Sequence, residues 1–319
     1  MIMPRPSSRP LAALAWSLAC TVVGAAACSE PRDELDPTGP ASATTELGPA
    51  STGSEAGTAP IDGDTTGGKL DVQSPNDAPN ITEGGSTCDQ DVDIVFVMDV
   101  STTMGPFLDQ LAAEIIVVDE ALDAMELPSE PHYGLVVFVD DAALLNGGAP
   151  YDSVATLQQD FNSWSDFTSS NSQVSGGGYN STWPENSLDA IYLAAAGFQW
   201  RPAESTLRLV IHTTDDTFWD GPTTADGVMI QHGYDETVMA LQQREIRDFT
   251  FAAQIGGSCE CDDVTPGWSS PYMGMPAIPE ATGGLVYDID LVLVGQVSLA
   301  DALTEAVETT MCEPYPPVG

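Results

Sequence analysis

Asp99, Ser101 and Thr103 stand at alternate positions directly after the apolar run Ile94-Val95-Phe96-Val97-Met98. A short unbroken run rich in β-branched and aromatic residues reads as a strand buried on both faces. Where such a strand ends, the chain enters the crevice at the carboxyl edge of a parallel sheet, the place where α/β folds bind ligands. In extended backbone, side chains at i, i+2 and i+4 project to one side. One carboxylate and two hydroxyls would then converge on a point. All are hard oxygen donors, the set that suits Mg²⁺ or Mn²⁺. Ser101 and Thr103 are equally good caps for the amphipathic helix that follows.

A second apolar run, Leu207 to Thr213, closes on Thr214-Asp215-Asp216. Between the two lies Gly176-Gly177-Gly178-Tyr179-Asn180-Ser181-Thr182-Trp183-Pro184-Glu185, which leads into a helical pattern. A late stretch, Pro279-Glu280-Ala281-Thr282-Gly283-Gly284-Leu285-Val286-Tyr287-Asp288, precedes one more strand. This order of motifs, from about Asp91 to Cys312, resembles the von Willebrand factor type A (VWA) domain and its metal-ion-dependent adhesion site. The resemblance implies that Asp99 holds the metal directly or through water, that Ser101 and Thr103 are hydroxyl ligands, and that Asp215 is the later site aspartate with Asp216 as its neighbour. For the middle loop it offers two ligands. Thr182 matches the threonine of integrin α-type domains. Pro184-Glu185 resembles the integrin β-type loop, in which a glutamate takes that place, and Glu185 ranks above Thr182. The flanking calcium sites of the β-type domains are not expected, because Gly105, Pro106 and Phe107 occupy one of them. Mg²⁺ or Mn²⁺ is the expected ion, with Ca²⁺ as the other choice. The resemblance further implies a protein partner that supplies a carboxylate to the metal.

The elements that must position these residues follow from periodicity. Strands are expected at Asp93–Met98, Tyr133–Val139, Leu207–Thr213, Asp248–Ile255 and Leu285–Ile289. Helices are expected over Leu108–Met125, Ser153–Phe167, from Pro184, over Glu236–Ile246 and over Leu299–Met311. Alternating strands and helices predict an α/β fold, a doubly wound, mostly parallel sheet with helices on both faces. Gly256–Ala277 reads as a surface loop. His212 lies within a strand and reads as a packed or hydrogen-bonded residue rather than a ligand. Trp183 and Trp219 adjoin the site loops and suit partner recognition.

The chain has 319 residues, 48 of them acidic and 8 basic, for a formal net charge of -40. Such a field repels nucleic acid and anionic lipid and attracts cations and basic surfaces. Residues 1–28 read as a lipoprotein signal peptide. Arg5 and Arg9 precede an apolar stretch too short to span a bilayer, and Ala25-Ala26-Ala27-Cys28 resembles a lipobox that would leave Cys28 lipidated. Membrane contact is expected only through that anchor, at the extracytoplasmic cell envelope, with an outer-membrane address. Residues 29–87, rich in Pro, Gly, Ser and Thr, read as a disordered tether. Residues 88–319 form the expected VWA domain. Its four cysteines allow three pairings. Cys88–Cys312 is favoured, since domain termini lie close together, with Cys259–Cys261 as its complement.

No Ser-His-Asp order stands out and no G-x-S-x-G occurs, so a binding domain is expected rather than an enzyme. The other reading is a metal-independent scaffold of the envelope.

Overall fold

The computed structural model describes residues 89–254 and 263–317. The expected signal peptide and tether, and Cys28, Cys88, Cys259 and Cys261, lie outside the described residues. The apolar run around Phe96 forms β1 (Asp91–Asp99), and α1 (Gly105–Asp123) returns along the sheet. Next come β2 (His132–Phe138), β3 (Ala142–Leu144), α2 (Val154–Thr168) and α3 (Ser187–Gly197). β4 (Thr206–Thr214) leads to a small hairpin of β5 (Thr223–Ala225) and β6 (Val228–Ile230). The chain closes through α4 (Tyr234–Gln242), β7 (Ile246–Ala252), α5 (Ile278–Thr282), β8 (Val286–Asp288), α6 (Ile289–Leu293) and α7 (Leu299–Thr310).

The main sheet runs β3-β2-β1-β4-β7-β8. Every pairing in it is parallel except that of β3 with β2. β1 and β4 lie at the centre, in register from Asp91↔Thr206 to Met98↔Thr213. The chain winds outward from them in opposite directions, so the crevice between their carboxyl ends is the switch point where such sheets bind ligands.

Alternation along β1 divides the core in two. Ile94, Phe96 and Met98 pack with Phe107, Leu111, Phe161 and Val307 under α1, α2 and α7. Val95 and Val97 pack with Leu188, Ile191, Leu241 and Trp268 under α3 and α4. Burial on both faces explains why these strands read as unbroken apolar runs rather than alternating ones.

Several boundaries differ from the periodicity reading. α3 begins at Ser187, not at Pro184, because Asn186 caps it by accepting from the Asp189 amide. α4 ends at Gln242, and Glu245 takes a positive φ of 53° that turns the chain, so Ile246 opens β7 instead of closing a helix. β7 ends at Ala252, where its pairing with β4 and β8 stops. β8 is only three residues long, and Ile289 starts a helix. The segment read as a surface loop carries Val264 and Trp268, both 1% exposed. β3 and the β5–β6 hairpin were too short to be legible. The hairpin turns at Asp226-Gly227, both at positive φ, which suits a two-residue turn. No helix among the described residues is long and apolar enough to cross a membrane.

Candidate metal centre

Asp99 is the last residue of β1 and is fully buried. Its Oδ1 accepts from the Ser101 amide at 2.8 Å, and its Oδ2 accepts from the Thr214 hydroxyl at 2.8 Å. The carboxylate is thus pinned between the two central strands. Ser101 Oγ lies 3.3 Å from Thr103 Oγ1, so the two hydroxyls are adjacent. The N-cap of α1 is Met104, with no side-chain hydrogen bond. Ser101 and Thr103 therefore do not cap that helix. Thr103 instead lies beside the Asp215 carboxyl and lowers its pKa against the effect of burial.

Asp99, Asp215 and Asp216 each place a carboxylate oxygen within 4.8 Å of the others. Sequence order had left Asp216 as a mere neighbour of Asp215. The turn after β4 brings it into the same cluster, where the Asp216 amide donates to Thr214 Oγ1 at 3.1 Å.

Glu185 approaches from the segment before α3 and is 1% exposed. Its backbone pairs with the β4 loop, donating to Thr217 O and accepting from Trp219 N, both at 3.0 Å. Asn180 Nδ2 donates to its Oε1 at 2.8 Å. Asn180 thereby serves as a positioning residue, and its place in the Gly-rich loop was the only hint of that role in the sequence. Thr182 lines the same cleft, but its hydroxyl donates to Asp140 and accepts from Trp219 Nε1.

The electrostatics of this set are severe. Burial, and then the charge of Asp215, push Asp99 above the usual carboxylate range. Burial, and then Asp99, do the same to Glu185. Burial raises Asp215, and Asp216 is raised to about 8 by burial and by Asp215 and Asp99. The described arginines all lie at the opposite edge of the sheet, before or within the first residues of β4 and β7. Two buried oxygens of this set, Glu185 Oε2 and Asp215 Oδ1, have no hydrogen-bond partner among the described residues. Buried polar groups are ordinarily satisfied, and buried charges are paired or coordinate metals. An all-oxygen set with unpartnered carboxylate oxygens facing a cleft of about 270 Å³ fits a hard divalent cation.

His212 is buried within β4, with Nδ1 3.4 Å from Thr250 Oγ1 and its ring packed against Phe138 and Trp268. Burial lowers its pKa to about 3. It is a core residue and sits apart from the acidic cluster. Trp219 reaches Thr182, and Trp183 is 43% exposed at the cleft. Cys312 is disulfide-bonded, and the other cysteines lie outside the described residues.

No family model matches this chain, and no curated protein matches it. Among solved structures, an aerotolerance-related membrane protein from Bacteroides fragilis NCTC 9343, carrying multiple mutations to serines, is 14% identical. That match covers 68% of this chain and 99% of the other, with a TM-score of 0.40. Proximal thread matrix protein 1 from the mussel byssus, with a zinc-occupied MIDAS motif, is 16% identical at a TM-score of 0.40. That match covers 72% of this chain and 48% of the mussel protein, about half of its length. The strand order, the switch point between β1 and β4 and the loops that meet there make a doubly wound, mostly parallel α/β domain, and they bring the motifs that resemble a von Willebrand A-type site to one cleft.

Proposed function

We propose that this domain binds a divalent cation at the carboxyl edge of its sheet and, through that cation, a protein partner. The observation that carries the reading is a pair of buried carboxylate oxygens, Asp215 Oδ1 in the acidic cluster and Glu185 Oε2 beside it, that have no hydrogen-bond partner and no basic counterion among the described residues. Asp99, Ser101, Thr103, Glu185 and Asp215 would hold the ion, with Asp216 beside them. Thr182 would join only by releasing Asp140. A bound cation supplies a positive centre on which a partner's carboxylate can settle in place of water. Oxygen-only ligation favours Mg²⁺ or Mn²⁺, with Ca²⁺ admissible.

The surrounding assignments are proposals of the same kind. Lipidation at Cys28 would anchor the chain in the cell envelope, at the outer membrane, with residues 29–87 as the tether. A Cys88–Cys312 disulfide is supported by the Cys312 amide, which donates to the Gln90 side chain at 2.9 Å, two residues from Cys88. Cys259 would then pair with Cys261.

The test is calorimetric titration of Mg²⁺ and Mn²⁺ into the full chain, beside Asp99→Ala. Saturable binding that is lost in the variant is expected. A folded wild-type chain that binds neither ion would overturn the metal reading and leave a metal-independent scaffold.

A further inference from the structure

The charges of this domain are segregated by the fold. Arg201 binds Asp93 at 2.6 Å near the amino end of β1. Arg208 donates to the carbonyls of Arg201 and Arg244. Arg247 donates to those of Gly283, Glu313 and Pro314. Arg244 donates to the Ala240 carbonyl at the end of α4, so every described arginine lies toward the amino edge of the sheet. The loops that leave the carboxyl ends of β1, β2, β4 and β7 contain no lysine or arginine. They carry Asp140, Asp141, Asp215, Asp216, Asp220 and Asp226 instead, and Glu185 joins them from the segment before α3. Asp290, beyond β8, is close enough to raise Asp215 further.

A dication among Asp99, Glu185, Asp215 and Asp216 leaves a surplus of negative charge. An isolated carboxylate approaching that face meets net repulsion, whereas a positive side chain is drawn in. The rim carries the matching aromatic chemistry. Trp183 lines the cleft and is 43% exposed, and Tyr179, beside the Glu185-binding Asn180, is 75% exposed. Aromatic faces next to carboxylates recognise guanidinium and ammonium groups. Glu185 Oε2, in a side chain 1% exposed and without a partner, shows that the centre of this face is built for a ligand rather than merely acidic.

We propose that the metal-bearing face docks a basic protein surface, whose arginine and lysine side chains meet the aromatic and acidic rim while the cation holds the centre. This inference rests on the metal reading above. It goes beyond it by naming the partner's chemistry: a carboxylate donor set among positive charges, not an acidic segment.

The test is fluorescence anisotropy with the full chain and saturating Mg²⁺. Two synthetic peptides of equal length are compared, one carrying a single aspartate among several arginines, the other with those arginines replaced by serine. The arginine peptide is expected to bind about tenfold tighter or more, with an affinity that falls as salt rises. Trp183→Ala and Asp290→Asn, which replace no proposed metal ligand, are each expected to reduce that preference, Trp183→Ala by about two- to fivefold. Equal affinity for both peptides would overturn the inference. So would a preference unchanged in the Trp183→Ala, Asp290→Asn double variant, because the attraction would then belong to overall charge. Mg²⁺ calorimetry on the same samples separates the two readings. Mg²⁺ binding without an arginine preference removes only the docking, and no Mg²⁺ binding removes both.

Discussion

Thr182 spends its hydroxyl on the carboxylate of Asp140, at the end of β2, rather than on the acidic cluster at the end of β1. Glu185, three residues later, is left with an unpartnered buried oxygen beside that cluster. The two middle-loop residues are therefore not equivalent. Glu185→Gln is expected to weaken Mg²⁺ binding about tenfold or more, and Thr182→Ala by clearly less. Calorimetry on both variants checks this. A Thr182→Ala loss as large as that of Glu185→Gln would make the threonine the ligand.

Asp99→Asn is expected to change stability in opposite directions with and without metal. In EDTA the variant should melt above the wild type, because it removes one of several buried like charges that raise each other's pKa. With Mg²⁺ the wild type should gain stability with ion concentration while the variant does not. Thermal melts across an Mg²⁺ series read both signs. A variant less stable than the wild type in EDTA would show that the hydrogen bonds from Ser101 and Thr214 outweigh the repulsion.

Asp248 provides a separate pH dependence, inside the sheet and away from the cluster. Burial raises it to about 7 against an ordinary 3.8, although Thr250 donates to its Oδ2 at 2.6 Å. A carboxyl raised in the folded state binds its proton more tightly there. Its contribution is full below about pH 4 and is lost as pH rises through about 7. His212, lowered to about 3 from 6.5, acts oppositely, and its contribution is lost as pH falls below about 6.5. Asp248→Asn isolates the first effect. It should leave the chain more stable than wild type above about pH 8, by on the order of 1–3 kcal/mol. The gap should narrow as pH falls through about 7 and close only below about pH 4. Urea midpoints at the two ends of that range measure it, and a gap independent of pH would contradict the buried-carboxylate account.

Gly284 sits where no side chain fits. A Cβ there would lie 1.8 Å from the backbone oxygen of Asp248 in β7. Gly284→Ala is expected to destabilise the domain by about 3 kcal/mol or more. Gly227, in the β5–β6 turn, has φ +84° but open space around it. Gly227→Ala should therefore cost only about 1–2 kcal/mol of backbone strain. Chemical denaturation of both variants ranks a steric cost against a conformational one.

Asp99 and Asp215 were legible because each terminates a long, doubly buried strand, and chain order alone puts such ends at the switch point of a parallel sheet. The stretch around Thr282-Gly283-Gly284 was legible as the lead into the last strand, but the close approach of Gly284 to Asp248 was not. The stretch turns the chain between α5 and β8, where Gly283 takes φ +72°. Trp268 was not legible. Its segment has no periodicity, yet the indole is buried against His212 and Phe218 and donates to the Asp216 carbonyl at 3.2 Å.

What the sequence by itself determined is the sheet, its main helices and the place of Asp99, Ser101 and Thr103 at the carboxyl end of β1, because alternation and apolar runs act over a few residues and survive in one dimension. Only the tertiary structure decided that Asp216 joins the cluster, that Asn180 and Asp140 divide Glu185 from Thr182, and that positive charge retreats to the amino edge. Those outcomes depend on contacts between residues far apart in the chain, such as Asn186 with Asp140, 46 positions away, and Thr214 with Asp99, 115 away. A hydrogen bond of that span becomes available only when the sheet has already brought the loops together.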